Sequence, residues 1–494
     1  MTSVILGPPG TGKTTAILNL IEEELNNGTA PDKIGYFAFT KKASEEGKIR
    51  TIDRFNMTAT DIPHFRTLHS LCYKMLGLSR DAVMSKQHFK DFNDLMGMRL
   101  TGDLKLEEGS ITVLSKDDKL RFVEGLSRLR CVDLREQYHR HHDDDIDWYR
   151  LDRYARGLLK FKTARHLYDF TDMLELCVEK ELSPKLEAVF IDEAQDLSPL
   201  QWKLVNILTS RADRVYIAGD DDQAIFTWAG ADVDHLVSIS KNATVLSKSY
   251  RLPKSVYQIA NKVIKRIHNR TDKIWDSKEE EGSVVSQASF EHVDLTQGEW
   301  LILSRSNYLL NEIEAHCLGL GVFFERKERP SISHKKVNAV RNWEQLRKGE
   351  FVFPDQAKDI VSYIKGSKAK KFETHEPSTK LTLKQVVEIG ETPEPKIWHD
   401  MFTNLSPHER SYILALLRAG EKITKTPRIK LSTIHSAKGG EADNVVLLTD
   451  IPTKTWNKHE KNPDDETRVF YVGLTRAKQN LHIVQPKTNK YFTI

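Results

Sequence analysis

The chain has 494 residues, of which 29% are charged, and a mean hydropathy of −0.49, which favours a soluble globular protein over a membrane protein. Its length favours about three domains. The net charge of +4 permits a polyanionic partner without predicting one, since many enzymes carry a similar charge. No apolar run is long enough to span a membrane, and a predicted strand stands where a signal peptide would begin. The four cysteines are too scattered for a metal site or a disulfide framework, so we expect a cytoplasmic protein.

A glycine-rich segment at residues 7–15, GPPGTGKTT, fits the phosphate-binding pattern G-x-x-x-x-G-K-[ST]. Residues 4–6 before it are apolar, and apolar residues recur at helical spacing after it, so the loop would open a helix whose free N–H groups face phosphates. Lys13 would bring charge to the β and γ phosphates, and the Thr14 hydroxyl could bind Mg²⁺. A glycine-rich turn without a ligand is the alternative. The predicted nucleotide-binding residues of the loop are Gly7, Pro8, Pro9, Gly10, Thr11, Gly12, Lys13, Thr14 and Thr15.

A second segment, at residues 188–193, is an apolar run that ends in two acids, Asp192 and Glu193. Such a run is typical of a parallel strand that delivers carboxylates to the ligand-binding edge of a sheet. Asp192 is suited to hold Mg²⁺, and Glu193 is suited to orient and deprotonate an attacking water. An isolated acidic pair after a strand is more often a helix N-cap. The phosphate loop elsewhere in the chain favours the catalytic interpretation, with ATP as the substrate.

Apolar runs typical of strands alternate with helical stretches along the chain, which predicts an α/β protein. The clearest runs lie at residues 4–6, 34–39, 188–191, 215–218, 300–304, 429–434, 445–448 and 481–484. Within the second half, the lysine-rich residues 366–380 are predicted to form a helix-poor surface loop. Residues 485–494 could return after the last run as the second strand of a hairpin. The His- and Asp-rich residues 139–147 are assigned to a solvated loop rather than a metal site.

Eight further segments resemble, in the same order, the characteristic motifs of the UvrD, Rep and PcrA branch of the superfamily 1 DNA helicases. They are residues 36–46 (YFAFTKKASEE), 67–71 (TLHSL), 169–174 (DFTDML), 219–231 (GDDDQAIFTWAGA), 246–251 (LSKSYR), 301–307 (LILSRSN), 432–443 (STIHSAKGGEAD) and 468–478 (RVFYVGLTRAK). Eight matches in the family's order are hard to obtain by chance, and they extend over almost the whole chain.

The resemblance implies two RecA-like P-loop NTPase domains in tandem, each with a largely helical insertion. The implied division is residues 1–76 and 165–240 for the first lobe, 77–164 for its insertion, 241–324 and 427–494 for the second lobe, and 325–426 for the second insertion.

The same resemblance implies further residues of the nucleotide site. Gln223 would contact the γ phosphate and the attacking water, and thereby couple hydrolysis to the neighbouring DNA-facing segment. Arg251 and Arg476 would approach the γ phosphate from the second lobe, where a fixed guanidinium suits the developing charge. Tyr250 would stack on adenine, and Glu441 would lie near the ribose and phosphates. An isolated arginine is more often part of a surface ion pair, so these roles depend on the motifs.

Residues near DNA are implied in the same way. Phe226 and Trp228 stand two positions apart, so in an extended segment both rings would face one side and form a stacking platform for bases. The alternative is that they are two core aromatics. The other implied DNA-binding residues are Phe39, Thr40, His69, Thr433 and His435. Because stacking and phosphate contacts carry no base code, we expect little sequence preference and a strong dependence on salt.

The implied function is ATP- and Mg²⁺-dependent translocation along single-stranded DNA in the 3′ to 5′ direction, with unwinding of tailed duplex DNA, in replication, repair or recombination. We expect replication or repair proteins as partners, no membrane, and a monomer in isolation. A DNA-stimulated ATPase that strips or remodels nucleoprotein complexes is the alternative, and RNA remains open as a track. A small-molecule kinase or a nucleotide-switched interaction protein is disfavoured, because neither needs a second lobe that contributes arginines.

The chain departs from the family pattern at several positions. Only six residues precede Gly7, so a glutamine-containing adenine-recognition segment is missing there and base selectivity is expected to be relaxed. Ala229, Ser249 and Gly440 stand where the family usually has arginine, asparagine and leucine. Contacts between the lobes at these three positions therefore cannot be carried over from the family.

Overall fold

Two largely parallel β-sheets, one in each half of the chain, form the framework of the protein. The computed structural model describes residues 2–102, 115–141, 146–424 and 426–494. Part of the His- and Asp-rich segment at residues 139–147 lies outside these ranges. Within them, no helix is both long enough and apolar enough to cross a membrane.

The strands of the first sheet are β1 (Thr2–Leu6), β2 (Ile34–Ala38), β3 (Phe65–Thr67), β4 (Ala188–Asp192), β5 (Arg214–Gly219) and β6 (Thr244–Val245). Their spatial order is β3-β2-β4-β5-β1-β6, and all neighbours are parallel. Every residue of β2 and β4 is buried, because these strands are apolar and both faces of the sheet are covered by helices. The phosphate loop after β1 and the acids after β4 therefore lie at the same edge. The pairing of β6 with β1 extends the first sheet beyond residue 240, where the sequence-based division ended that lobe.

The strands of the second sheet are β7 (Ser283–Gln287), β8 (Trp300–Ser304), β9 (Phe324–Arg326), β10 (Arg329–Pro330), β11 (Ile429–Thr433), β12 (Ala442–Leu448) and β13 (Ala477–Val484). Their order is β10-β9-β11-β8-β12-β13-β7, and only β9 and β10 are antiparallel. All five residues of β8 are buried at the centre of the sheet.

Helices cover both sheets and form the two insertions. In the first half they are α1 (Lys13–Asn26), α2 (Lys41–Phe55), α3 (Leu68–Met75), α4 (Lys86–Met96), α5 (Lys116–Leu129), α6 (Leu134–Arg140), α7 (Trp148–Arg165), α8 (Phe170–Glu179), α9 (Pro199–Ser210) and α10 (Val233–Ile239). In the second half they are α11 (Lys254–Ile264), α12 (Asn311–Leu320), α13 (His334–Arg347), α14 (Pro354–Ser362), α15 (Leu383–Gly390), α16 (Trp398–Met401), α17 (Pro407–Arg418), α18 (Thr453–His459) and α19 (Pro463–Leu474). The α/β fold with two RecA-like lobes, predicted from the sequence, is confirmed.

The two insertions are built differently. Helices α4, α5 and α7 of the first insertion share a separate apolar core, in which Phe92 packs edge-to-face on Tyr154 and Phe161. Helices of the second insertion, including α13 with its fully buried Trp343, pack into a core that is continuous with strands β8, β11 and β12. The second insertion is therefore part of the hydrophobic core of its lobe.

Two local predictions need correction. Residues 366–380 lie at the surface as predicted, but Ala369–Thr374 forms a 3₁₀ helix in which Phe372 is buried, because this segment packs against α14. The predicted hairpin at the end of the chain is also absent from the described residues. The second neighbour of β13 is β7, and Tyr491 instead bridges Asp450 after β12. The packing of Phe492 explains the path of the last residues, since its ring stacks on Phe470 with centroids 4.3 Å apart.

Phe372 and Phe351 provide a matched test of the second core, since they are 2% and 44% exposed. Phe372→Ala should destabilise the second lobe by about 3–5 kcal/mol, because it leaves a cavity in the core. Phe351→Ala removes only a partly exposed ring and should cost about 1 kcal/mol or less. Urea unfolding, followed by tryptophan fluorescence, would measure both, and equal losses would contradict the packing described here.

Candidate active site and nucleic-acid interface

The phosphate loop after β1 is held open by backbone geometry. Gly10 and Gly12 have φ angles of +74° and +80°, in the left-handed region that suits glycine. The amide and hydroxyl of Thr11 donate to the carbonyl of Pro8 at 3.2 and 2.8 Å, which closes the turn. Gly12 is the N-cap of α1 and has no side chain to cap the first N–H groups. Those groups are therefore available to an anion at the helix N-terminus.

Lys13 faces the two acids that follow β4. Its Nζ lies 2.7 Å from Glu193 Oε1 and 3.4 Å from Asp192 Oδ1. Burial favours the neutral amine, but the two carboxylates outweigh burial and raise the pKa of Lys13. Burial works against ionisation of Glu193 as well, yet Lys13 and Lys438 lower the pKa of this carboxyl to about 2. Glu193 is therefore ionised at neutral pH and can accept a proton.

The two acids are fixed by contacts that the sequence analysis did not identify. The hydroxyl of Tyr36, on β2, donates to Asp192 Oδ2 at 2.8 Å. Glu193 has a φ angle of 54°, a left-handed conformation that is strained for a residue with a side chain. Gln195 donates to the Glu193 carboxylate and accepts from the backbone amide of Asp220 at 2.9 Å, so one buried amide ties the ends of β4 and β5 together.

The second lobe completes this site through the segment before α11. The hydroxyl of Ser249 donates to the carbonyl of Pro9 at 2.8 Å, and the amide of Tyr250 donates to the carbonyl of Gly10 at 2.8 Å. The Tyr250 ring is 74% exposed beside an open cleft of about 590 Å³, which is also lined by Lys248, Lys278, Glu279 and Glu280. An exposed ring next to the phosphate loop can stack on a planar ligand.

The two predicted arginines lie at the same seam between the lobes. Arg251 Nε is 2.5 Å from Glu441 Oε2, and an Arg476 Nη donates to Gln223 Oε1 at 3.1 Å. Burial and the positive charge of Arg251 lower the pKa of Arg476 to about 9. Because burial and the neighbouring cation disfavour its charged form, the Arg476 guanidinium would gain from a bound anion. The structure thus brings together the predicted residues Lys13, Asp192, Glu193, Gln223, Arg251, Glu441 and Arg476 around the phosphate loop, and Thr14 lies in the first turn of α1.

Four of the predicted DNA-binding residues form an aromatic cluster, which consists of Phe39, Phe226, Trp228 and His435. Centroid distances from Phe226 to the other three rings are 5.8 Å to Phe39, 6.3 Å to His435 and 6.5 Å to Trp228. The predicted extended segment is wrong, because Thr227–Ala229 forms a 3₁₀ turn. The turn nevertheless keeps the two rings adjacent. Since His435 follows β11, the cluster spans both lobes.

The first insertion supports this cluster from behind. The Trp228 ring stacks on Phe122 of α5, with centroids 6.2 Å apart and an interplanar angle of 17°. Gly230 permits the close approach, since a Cβ there would lie 3.0 Å from Leu126 Cδ1 and its φ angle is +103°. Phe122 therefore covers one face of the Trp228 ring. The predicted stacking platform is part of a packed aromatic cluster rather than a pair of fully exposed rings.

His435 is the buried member of the cluster. Burial, followed by the charges of Arg305 and Lys438, lowers the pKa of His435 well below the usual value, and these effects outweigh an opposing contact with the Ile225 backbone. The imidazole is therefore neutral at physiological pH. Neither ring nitrogen makes a hydrogen bond of normal geometry to any residue that the structure describes. A buried imidazole whose nitrogens lack such hydrogen bonds can form hydrogen bonds with a ligand.

The other predicted DNA-binding residues do not join the cluster. The ring of His69 lies edge-on to the exposed Phe170 at 6.0 Å. Thr40 caps α2 by accepting from the amide of Ala43 at 3.1 Å. Thr433 is buried, and its hydroxyl accepts from the amide of Ser436 at 3.2 Å. Thr40 and Thr433 therefore cap local backbone, His69 packs on a neighbouring ring, and the predicted contacts of all three with DNA stay predictions.

Lys438 connects the two sites and was missed by the sequence analysis. Its Nζ lies 2.6 Å from Asp196 Oδ2, 2.8 Å from the carbonyl of Gln223, and 5.1 Å from the ring centroid of Phe226. Both partners of the ion pair are largely buried, and they belong to opposite lobes. Lys438 lies within the segment STIHSAKGGEAD, and Asp196 ends VFIDEAQD, so their positions in these motifs were the only sequence signal.

Two RecA-like lobes with a phosphate loop, strand-end acids and arginines at their seam define a two-lobed P-loop protein. Residues 1–244 match the UvrD/REP helicase N-terminal domain, and residues 345–488 match the UvrD-like helicase C-terminal domain. The chain belongs to the UvrD-like helicase family.

Curated relatives support the same assignment. The chain is similar to the ATP-dependent DNA helicase PcrA of Bacillus subtilis, with 25% identity over 390 residues that cover 73% of this chain and 50% of the relative. It is also similar to the ATP-dependent DNA helicase Rep of Buchnera aphidicola, with 23% identity over 352 residues that cover 63% of this chain and 50% of the relative. The chain thus spans about half the length of these relatives.

Lys438→Met should strongly destabilise the interface between the lobes, because it leaves the buried carboxylate of Asp196 without its cation. We expect a cost of about 3–5 kcal/mol. Lys478→Met is the matched control, since Lys478 pairs with Asp443 at 3.0 Å with side chains 36% and 39% exposed. Such exposed pairs contribute about 0–1 kcal/mol. Chemical denaturation of both variants would show the difference, and similar midpoints would exclude a stabilising role for the interlobe pair.

Proposed function

We propose that this protein is an ATP-driven motor that moves along single-stranded DNA in the 3′ to 5′ direction and separates tailed duplex DNA. The observation that carries this proposal is the convergence of Lys13 and Glu193 from one lobe with Arg251 and Arg476 from the other around one phosphate loop. A site divided in this way can translate hydrolysis into motion between the lobes. The polarity is proposed because residues 224–228, after Gln223, resemble the UvrD branch.

The side chains present suit hydrolysis of a nucleoside triphosphate. Lys13 would exchange its contact with Glu193 for the β and γ phosphates, and Glu193 would then take a proton from the attacking water. Loss of the Lys13 contact would raise the pKa of Glu193 from about 2, which makes the carboxylate a better base in the loaded site. Arg476 and Arg251 would stabilise negative charge on the transferred phosphoryl group.

Mg²⁺ fits the donors at this site. The Thr14 hydroxyl and the Asp192 carboxylate are hard oxygen ligands, of the kind that this cation prefers. Among the described residues, no group of three or more His, Cys, Asp or Glu side chains could hold a metal ion. Thr14 and Asp192 would supply protein ligands, and phosphate and water the others. When bound, Mg²⁺ would neutralise charge on the phosphates, while Tyr36 keeps Asp192 oriented through its 2.8 Å hydrogen bond.

Single-stranded DNA suits the aromatic cluster. Each base that stacks on an aromatic side chain gains about 1–3 kcal/mol whatever its identity. The cluster contains side chains from both lobes, and Lys438 lies against Phe226 while it also binds the carbonyl of Gln223. Closure of the lobes around ATP would therefore change the distances between the rings. A base could move past one ring in each cycle, which gives a directional step.

Glu193→Gln should abolish steady-state ATP hydrolysis while nucleotide binding persists, because the amide cannot accept a proton from water. We expect a loss of at least about 100-fold in kcat, as is usual when a general base is removed. Glu187→Gln is the matched control, since Glu187 lies directly before β4 and makes only a 3.8 Å ion pair with Arg214 at the surface. Persistent turnover in Glu193→Gln would overturn the assigned base.

The activity can be tested with duplexes that carry a 3′ or a 5′ single-stranded tail, made of DNA or RNA. ATP-dependent strand displacement should require a 3′ DNA tail and should weaken steeply as salt rises, because phosphate contacts release counterions. Translocation would be measured in parallel on single strands with a dye at one end. Rapid translocation without displacement would replace unwinding with remodelling of nucleoprotein complexes, and a preference for 5′ tails would refute the proposed polarity.

A further inference from the structure

Three consecutive carboxylates are buried at the end of β5. The side chains of Asp220, Asp221 and Asp222 are at most 1% exposed. Adjacent buried carboxylates are costly unless cations compensate them. Lys273, from the loop after α11, supplies that charge, since its Nζ lies 3.1, 2.5 and 2.9 Å from the three carboxylates in chain order. The Lys273 side chain is itself 0% exposed.

The carboxylate of Asp220 also orients Gln223. The side-chain amide of Gln223 donates through Nε2 to Asp220 Oδ2 at 2.7 Å. Its oxygen, Oε1, accepts from Arg476 at 3.1 Å. An amide held between an acceptor and a donor has only one favourable orientation. A chain of contacts therefore runs from Lys273 through Asp220 and Gln223 to Arg476, and it crosses between the lobes twice.

Arg270 lies in the same loop and provides a comparison, because its ion pairs are with Asp222 and Asp272. It binds both carboxylate oxygens of Asp222, at 2.9 and 2.8 Å, and it also pairs with the exposed Asp272. Its ion pairs do not involve Asp220. Lys273 and Arg270 thus share one loop and one interface between the lobes, but only Lys273 binds the carboxylate that holds Gln223.

We propose that Lys273 is a positioning residue for hydrolysis, which keeps Gln223 aligned with Arg476 by holding the Asp220 carboxylate in place. The proposal rests on the proposed function of the same site. Without the ammonium, repulsion among the three acids favours protonation or displacement of Asp220. Protonation would weaken Asp220 as the acceptor of the Gln223 amide, and displacement would remove it, so that the contact of Gln223 with Arg476 would no longer be enforced. ATP turnover would therefore require the loop after α11, which carries Lys273, to stay packed against the end of β5.

The test compares Lys273→Met with Arg270→Met in DNA-stimulated ATP hydrolysis. Lys273→Met should lower kcat by about tenfold or more and change KM for ATP by less than about threefold, because binding through the phosphate loop is retained. Arg270→Met should keep kcat within about threefold of the unaltered protein, although thermal unfolding should show that both variants are destabilised. Equal effects of the two substitutions on kcat would reduce Lys273 to a structural cation and overturn the proposal.

A double-mutant cycle with Gln223→Ala tests whether Lys273 acts through Gln223. The combined variant should have the same kcat as Gln223→Ala alone, because the positioned group is already missing. Multiplied losses would overturn the proposal. Should Lys273→Met fail to fold, Lys273→Met combined with Asp222→Asn removes one uncompensated carboxylate and should show the same loss of kcat. An unaltered protein without DNA-stimulated hydrolysis would instead refute the proposed function, independently of Lys273.

Discussion

The structure depends on compensation of buried charge between the two lobes. Carboxylates and cations removed from water must find partners, and here each lobe buries charges that only the other can neutralise. Asp196 of the first lobe pairs with Lys438 of the second, and the three acids after β5 pair with Lys273 and Arg270. These pairs fix how the two sheets meet, and therefore where the edge that carries the phosphate loop lies relative to the arginines.

Arg476 differs from these cations, because its partner across the interface is a neutral amide rather than a carboxylate. This difference bears on how the site could bind a nucleotide. Its side-chain partner Gln223 is neutral, and burial, followed by the positive charge of Arg251, lowers the pKa of Arg476 to about 9. Among the described residues, no carboxylate forms an ion pair with Arg476, although Glu193 and Glu441 lie near it, so the negative charge of a γ phosphate could become its direct partner. A triphosphate would supply that charge and draw the lobes together, so that binding and closure become one event.

The proposed nucleotide and DNA sites are close because they share short segments. Residues 219–231 supply the acids after β5, Gln223 and two rings of the aromatic cluster. Lys438 contacts this segment at the carbonyl of Gln223 and the ring of Phe226. The first insertion adds rigidity from outside, since Phe122 covers one face of Trp228. A movement of either lobe would therefore reach the rings through direct contacts such as that of Lys438 with Phe226.

The sequence by itself determined the α/β class, most strands and the residues of the phosphate loop, because these depend on local apolar runs and on short motifs with fixed spacing. It also indicated which distant residues share the nucleotide site, through the order of the family motifs. Only the tertiary structure decided the partners of buried charges, such as Lys273 with Asp221, since ion pairs between residues far apart have no local pattern. The same holds for the 3₁₀ turn at residues 227–229 and the course of Phe492, where packing against Phe122 and Phe470 overrides local preference.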